Sequence, residues 1–293
     1  MNIIQQIEQA AAYHTDARRA IALTILAHRN DLYTLSLQDL ADLSFTSKPT
    51  VVRFTQSFGY QGWKDFRKDY IACLQKENDN PERVDVNYPF DENSSLEGIA
   101  SSIAQVMKQS VEDTKELLDL DMVNRTVNLV ERARRIIIYC VSPNVYAANL
   151  FARKMMTIQL PVFICQPREM GITVRSMSSR DLAIIISYAG NNPQNEPMKI
   201  CDYLVENKIP TVVLTGTSNN YLRQHFGNVL TIASDENYFT KIATFATEES
   251  INYILNVIFA ACFARHFKEN DANKIHTSKF LELLRISGIE DAK

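Results

Sequence analysis

No apolar run in the 293 residues approaches the roughly 18 needed to cross a bilayer, and charges interrupt every hydrophobic stretch. The opening MNIIQQIEQAA lacks the basic start, apolar centre and small-residue cleavage site of a secretory signal. Basic charge is missing as a global property. With a formal net charge of −3, no overall field advertises nucleic acid, so any DNA contact has to rest on local cations. Cysteine is sparse and unpaired: Cys73, Cys140, Cys165, Cys201 and Cys262 are odd in number, scattered, and mostly set in apolar runs. That spacing excludes a disulfide framework or a zinc site and predicts reduced core residues of a cytoplasmic protein. The histidines (His14, His28, His225, His266 and His276) are dispersed too and suggest no metal site.

What is present is ordinary globular material, 46% hydrophobic and 22% charged, long enough for two domains with a core in each. Residues 1–77 read as helices separated by short turns. One apolar-faced segment starts near Thr15, and Ser36-Leu37-Gln38-Asp39 has the form of a capping box before Leu40 and Leu43. Residues 78–93 are polar, hold two prolines and show no period, which predicts a linker. From Ser94 the pattern changes. Helical patterns over Ser95–Leu118 and Asp121–Arg132 precede five short apolar runs, at 135–141, 161–165, 182–187, 211–215 and 228–232. Continuous apolar runs suit strands buried on both faces. Helical stretches between them, such as Tyr146–Thr157 and Glu196–Asn207, imply right-handed crossovers. The expected fold is thus an all-α domain followed by an α/β three-layer sandwich, residues 94–293, with a parallel sheet of about five strands. A closing helix over Glu248–Phe267, a short polar break and a tail helix near Lys274–Ile286 complete it.

The segment Leu40–Phe54 reads as helix, tight turn, helix. Ser47 is a good N-cap, and Pro49 in the first turn forfeits no helical hydrogen bond. Val51 and Phe54 share one face, leaving Lys48, Thr50 and Arg53 free to point away from it. A first turn bearing small hydroxyls and cations suits a major groove, where Arg pairs bidentately with guanine and Thr meets a thymine methyl. Between Ser47 and Lys76 the cations Lys48, Arg53, Lys64, Arg67, Lys68 and Lys76 face only Asp65 and Asp69. A merely solvated helical bundle would also carry such charges, so it is the ordered spacing of cap, cations and core residues that favours DNA.

The stretch SLQDLADLSFTSKPTVVRFTQSFGYQGWKDFRKDY is similar to the DNA-binding domain of the RpiR family of bacterial regulators. The family's Leu-Ala pair, Ser-x-x-Thr-Val-x-Arg-Phe recognition helix and following Gly-aromatic pattern match at Leu40, Ala41, Ser47, Thr50, Val51, Arg53, Phe54, Gly59, Tyr60, Gly62, Trp63, Phe66 and Arg67. The chain departs from the pattern at Phe45, where the family's turn carries glycine. The resemblance implies that Ser47, Lys48, Thr50 and Arg53 meet DNA, with Trp63, Lys64 and Arg67 beside its backbone.

The same family carries a sugar-isomerase-like (SIS) domain, and the element order after residue 94 resembles one. Such domains bind phosphorylated sugars at strand ends, through a Gly-x-Gly-x-Ser loop and a Ser-x-Ser-Gly-x-Thr loop. Here the first loop is Cys140-Val141-Ser142-Pro143-Asn144, without glycine. The second, Ser187-Tyr188-Ala189-Gly190-Asn191-Asn192, keeps Ser187 and Gly190 but has Ala189 and Asn192 where hydroxyls stand. The loops stay polar, so Ser142, Asn144, Ser187, Gly190, Asn191 and Asn192 are the candidate effector contacts; ordinary strand-end turns would use the same residue types. Isomerisation would need a tuned base, but His225 falls in the short amphipathic YLRQHF segment. Glu248 and Glu249 open a long helix, where carboxylates favour the dipole without catalysis. The expectation is a cytoplasmic, homodimeric or larger regulator that is not an enzyme. It would bind a double-stranded DNA operator and a small effector such as a sugar phosphate, without cofactor, metal or membrane. The alternatives are a sugar-phosphate isomerase with an accessory helical domain, or a regulator whose SIS-like domain only dimerises.

Overall fold

The computed structural model describes residues 3–29, 31–79 and 83–290. Two compact units emerge: Met1–Gln109 with Asp235–Ala246, and Ser110–Ser234 with Thr247–Lys293.

The first unit begins with five helices: α1 (Ile3–Tyr13), α2 (Ala17–Ala27), α3 (Leu37–Leu43), α4 (Lys48–Ser57) and α5 (Trp63–Asp79). Each boundary has a local cause. The Asp16 carboxylate accepts the Arg18 N–H at 3.0 Å and starts α2. Ser36 and Asp39 exchange hydrogen bonds as the predicted capping box, which opens α3. Ile4, Ile7, Ile21, Ile25, Leu40, Val51, Phe54, Phe66 and Tyr70 form the core of this bundle. Of the stretch expected to be a linker, residues 80–82 lie outside the described residues. The remainder is not a bare tether, because Val86 is buried with Val106 and Ala246, and Asn87 is buried as well.

The segment 235–246 belongs to this unit through a buried polar lattice. Gln5 Nε2 donates to the Glu236 carbonyl at 2.8 Å. Glu8, fully buried, accepts the Thr240 N–H at 2.9 Å together with the Thr240 hydroxyl and the Tyr238 N–H. Asn87 accepts the Asn237 N–H at 2.7 Å and, through its carbonyl, the Ile242 N–H at 2.9 Å. The Glu236 carboxylate in turn takes the Ala246 N–H at 2.5 Å.

After α6 (Leu96–Leu117), the second unit alternates helix and strand. It contains α7 (Leu120–Arg132), β1 (Ile136–Cys140), α8 (Val145–Met156), β2 (Val162–Ile164), α9 (Met170–Arg175), β3 (Leu182–Ile186), α10 (Cys201–Glu206), β4 (Thr211–Thr215), α11 (Tyr221–His225), β5 (Val229–Thr231), α12 (Phe245–Arg265) and α13 (Phe267–Glu290). The five strands form one parallel sheet in the order β2-β1-β3-β4-β5. Every residue of β1, β3 and β4 is buried, because the alternating side chains feed two cores. Ile136, Ile138, Ile184, Ile186, Val212 and Leu214 pack with α7, α8 and α12. Ile137, Tyr139, Ile185 and Val213 pack with α9, α10 and α11 on the other face. This is the expected three-layer sandwich.

Some details differ from the sequence expectation. The break before the tail helix is the single residue His266, since α13 already starts at Phe267. The helix expected over 196–207 is a 3₁₀ turn at Met198–Ile200 followed by α10 at Cys201–Glu206. Four of the five cysteines are buried, Cys73 is half-buried, and none of the five is in a disulfide. Where β1 and β3 begin, the buried Asp181 carboxylate binds Arg134 Nε and Nη2 at 3.0 Å each, and Arg135 Nη2 at 3.3 Å.

Candidate nucleic-acid interface and effector loops

The junction of α3 and α4 is fixed on both sides by hydrogen bonds. At the end of α3, the Phe45 N–H reaches the Asp42 carbonyl at 3.1 Å and the Thr46 N–H reaches the Ala41 carbonyl at 2.8 Å. These two bonds define a Schellman motif, whose C′ residue sits in the left-handed region. That residue is Phe45, with φ 51°. Two residues later Ser47 is extended (φ −108°, ψ 151°), and its Oγ accepts the Thr50 N–H as the expected N-cap. The Ser47 and Thr50 hydroxyls are also bonded to each other at 2.8 Å.

Along α4, Val51, Phe54 and Thr55 are buried. At 3.6 residues per turn the opposite face carries Pro49, Arg53 and Gln56, all exposed, with exposed Lys48 and half-buried Thr50 flanking them. Gln56 was not singled out from sequence, although it lies three residues beyond Arg53 on the same face. The residues expected beside the duplex backbone separate. Lys64 is exposed. Trp63 is buried and stacked on Phe66 at 5.8 Å, inside an aromatic cluster with Tyr60 and Tyr70. Arg67 is half-buried and donates to the Leu35 carbonyl at 2.7 Å, tying α5 to the connection before α3.

The effector candidates sit at the C-terminal ends of the adjacent strands β1 and β3. Ser142 is exposed, whereas Asn144 occupies the N-cap position of α8 without capping it. Its amide instead donates to the Ile186 carbonyl at 3.4 Å, joining the loop after β1 to the end of β3. After β3, Ser187 Oγ accepts the Gly190 N–H at 3.3 Å. Asn191 and Asn192 are half-buried, and Asn192 Oδ1 accepts the Gln194 N–H at 3.0 Å. Gly190 has φ 58°, and a Cβ there would lie 2.6 Å from Thr215 Oγ1, so glycine is required on both counts. Asn220, buried, donates to that same Thr215 hydroxyl at 2.7 Å. Sequence reasoning missed Thr215 at the end of β4, Asn220 at the N-cap of α11 and Arg223 within α11. Arg223 donates to the Gly216 carbonyl at 2.9 Å and to Thr231 Oγ1 at 2.7 Å, and burial lowers its pKa. His225 lies exposed against Tyr221 on α11.

Comparison with known proteins matches both regions. A family model described as "Helix-turn-helix domain, rpiR family" covers residues 1–77, and one described as "SIS domain" covers residues 129–249. The chain is 22% identical over 279 residues to an uncharacterized HTH-type transcriptional regulator of Clostridium perfringens, covering 95% of this chain and 98% of that one. It is 23% identical over 225 residues to the HTH-type transcriptional regulator HexR of Escherichia coli, covering 76% and 75%. Among solved structures it is similar to Vibrio vulnificus NanR complexed with ManNAc-6P. That match has a TM-score of 0.59 and 21% identity, and covers 97% of this chain and 99% of that one.

Proposed function

Since the chain belongs to the RpiR-type helix-turn-helix transcriptional regulators that carry a SIS domain, we propose that it reads an operator through α4 and answers to a phosphorylated sugar or related metabolite at the ends of β1 and β3. On this reading Lys48, Arg53 and the Ser47–Thr50 hydroxyl pair enter the major groove, and Lys64 meets a phosphate. Trp63 and Arg67 hold α5 in place instead of touching DNA. Operators of such regulators are two-fold, so the working species is a homodimer or larger.

One observation carries the effector reading: the Asn144–Ile186 bond ties the loop after β1 to the C-terminal end of the neighbouring parallel strand β3, where the second loop begins. Backbone N–H groups at the start of α8 favour an anion there, and Ser142, Asn144, Ser187, Gly190, Asn191 and Asn192 supply polar contacts. A solved relative, NanR, holds an amino-sugar phosphate, which supports that chemical class. The test is calorimetry of the full chain with hexose and amino-sugar 6-phosphates, repeated in the presence of DNA.

A second reading, in which this domain only dimerises, is favoured by a specific feature. Ser187 Oγ and Asn192 Oδ1 already accept bonds within their own loop, and the space beside Gly190 is filled by Thr215 and Asn220. The named relatives are regulators, which supports a non-enzymatic role. No helix among the described residues is long and apolar enough to cross a membrane.

A further inference from the structure

Phe45 is 97% exposed, so its ring contributes nothing to the core. It is also held at φ 51° by the two hydrogen bonds that end α3. An aromatic L-residue is disfavoured in the left-handed region, where glycine or asparagine sits without strain. The other non-glycine residues with positive φ among those described are Gln159, Arg168 and Lys208, all polar. Folding therefore gains from neither the ring nor its backbone, and a glycine would relieve both. Strain retained without a packing return directs attention to binding.

Its location narrows the partner. Phe45 stands two residues before the Ser47 cap, a span of at most about 7 Å or roughly two base-pair steps. Exposed Ser47, Lys48 and Arg53 follow it in sequence. An apolar protein interface would bring uncompensated burial to those cations, whereas a duplex offers phosphates for them and thymine methyls for the ring. We propose that Phe45 is a specificity-determining residue that packs on the 5-methyl group of a thymine at the edge of the site read by α4. The inference rests on the groove reading of α4.

The experiment uses the full chain and a duplex selected by it from a random-sequence library. Phe45→Gly is expected to raise the melting temperature while lowering affinity for that duplex about tenfold, the scale of one base contact. Replacing thymines one at a time by deoxyuridine should identify a position where loss of the methyl weakens the parent chain but leaves Phe45→Gly unaffected. Arg53→Ala runs beside it. If Arg53→Ala loses the duplex while Phe45→Gly binds as the parent does, this inference alone falls. If both bind as the parent does, the groove reading of α4 falls with it. Sedimentation without DNA gives a further check: a change in assembly state in Phe45→Gly assigns the ring to a second copy of the chain and overturns the proposal.

Discussion

The Glu8 carboxylate on α1 accepts both the N–H and the hydroxyl of Thr240, 232 residues later in the chain. Tyr238 N–H completes the set, and Gln5 and Gln9 on the same helix bind Glu236 and the Tyr238 hydroxyl. A helix that supplies Ile3, Ile4 and Ile7 to the core around α4 is thereby fastened to the segment that leaves β5 and returns as α12.

Glu8→Ala removes three acceptor contacts made by a fully buried carboxylate, two of them to backbone N–H groups. The expected loss is about 3 kcal/mol. Glu8→Gln, which keeps one acceptor oxygen, should lose less. The chain has one tryptophan, Trp63, in the core of this unit, so its fluorescence during denaturant unfolding measures the effect directly. Unfolding midpoints unchanged in both variants would refute the fastening.

For the α4 face, Arg53→Ala should relax base preference and cost about 1–3 kcal/mol on the best site. Lys64→Ala should weaken all duplexes alike and flatten the salt dependence, since a phosphate contact carries no sequence information. Fluorescence anisotropy across a genomic fragment library separates the two. Indistinguishable binding by Arg53→Ala and the parent chain would dismiss α4 as the reading helix.

Much of this architecture was legible in the chain. The strands announced themselves as five apolar runs because burial on both sheet faces removes any alternation. The α3–α4 junction was legible because caps use nearby residues, so Ser36, Asp39, Ser47 and Pro49 carry their meaning locally. What could not be read depends on distant partners. Nothing near Glu8 signals that its acceptors serve 238–240, and nothing near Asn87 signals Asn237. Trp63 and Arg67 matched the family pattern as surface residues, yet the ring packs inward and the guanidinium reaches a carbonyl 32 residues back. Thr215 and Asn220, which close the loop around Gly190, sit at the end of β4 and at the cap of α11 and carry no motif.

Asp181 gives a pH prediction. Burial raises its pKa, but hydrogen bonds from Arg134 and Arg135 outweigh that and hold it well below the ordinary carboxylate range. A depressed folded value means the contribution is fully present above the unfolded pKa, about 3.9, and is lost as pH falls from there through the folded value. Asp181→Asn should therefore lower stability by about 3 kcal/mol near neutrality. The gap from the parent chain should begin to narrow below pH 4 and keep narrowing as the pH falls further. Circular dichroism melts from pH 3 to 8 test this, and a gap that widens in acid would contradict it.

Assembly is the next expectation. Light scattering of the full chain should give at least twice its 33.4 kDa mass. The selected duplex should hold two half-sites whose centres lie about 10 base pairs, or a multiple, apart. A monomer that binds a single asymmetric site with full affinity would contradict a two-fold operator.

The effector loops yield the last prediction. Pro143 has no N–H to offer and Ala189 no side-chain bond, so anion affinity here should fall below that of a glycine-rich loop. Binding in the high micromolar range is consistent with a loop of this kind, at about 5 kcal/mol. If a sugar phosphate does bind, Ser187→Ala and Asn192→Ala should each weaken it about tenfold, while an unphosphorylated sugar should bind neither parent nor variant. Since Ser187 also holds the Gly190 N–H, its variant needs a melting curve to separate loop loosening from lost ligand contact. Uptake unchanged in both variants would place the site elsewhere. No binding of any phosphorylated sugar at millimolar concentration would favour the dimerisation reading, because the polar groups at these strand ends would then serve one another.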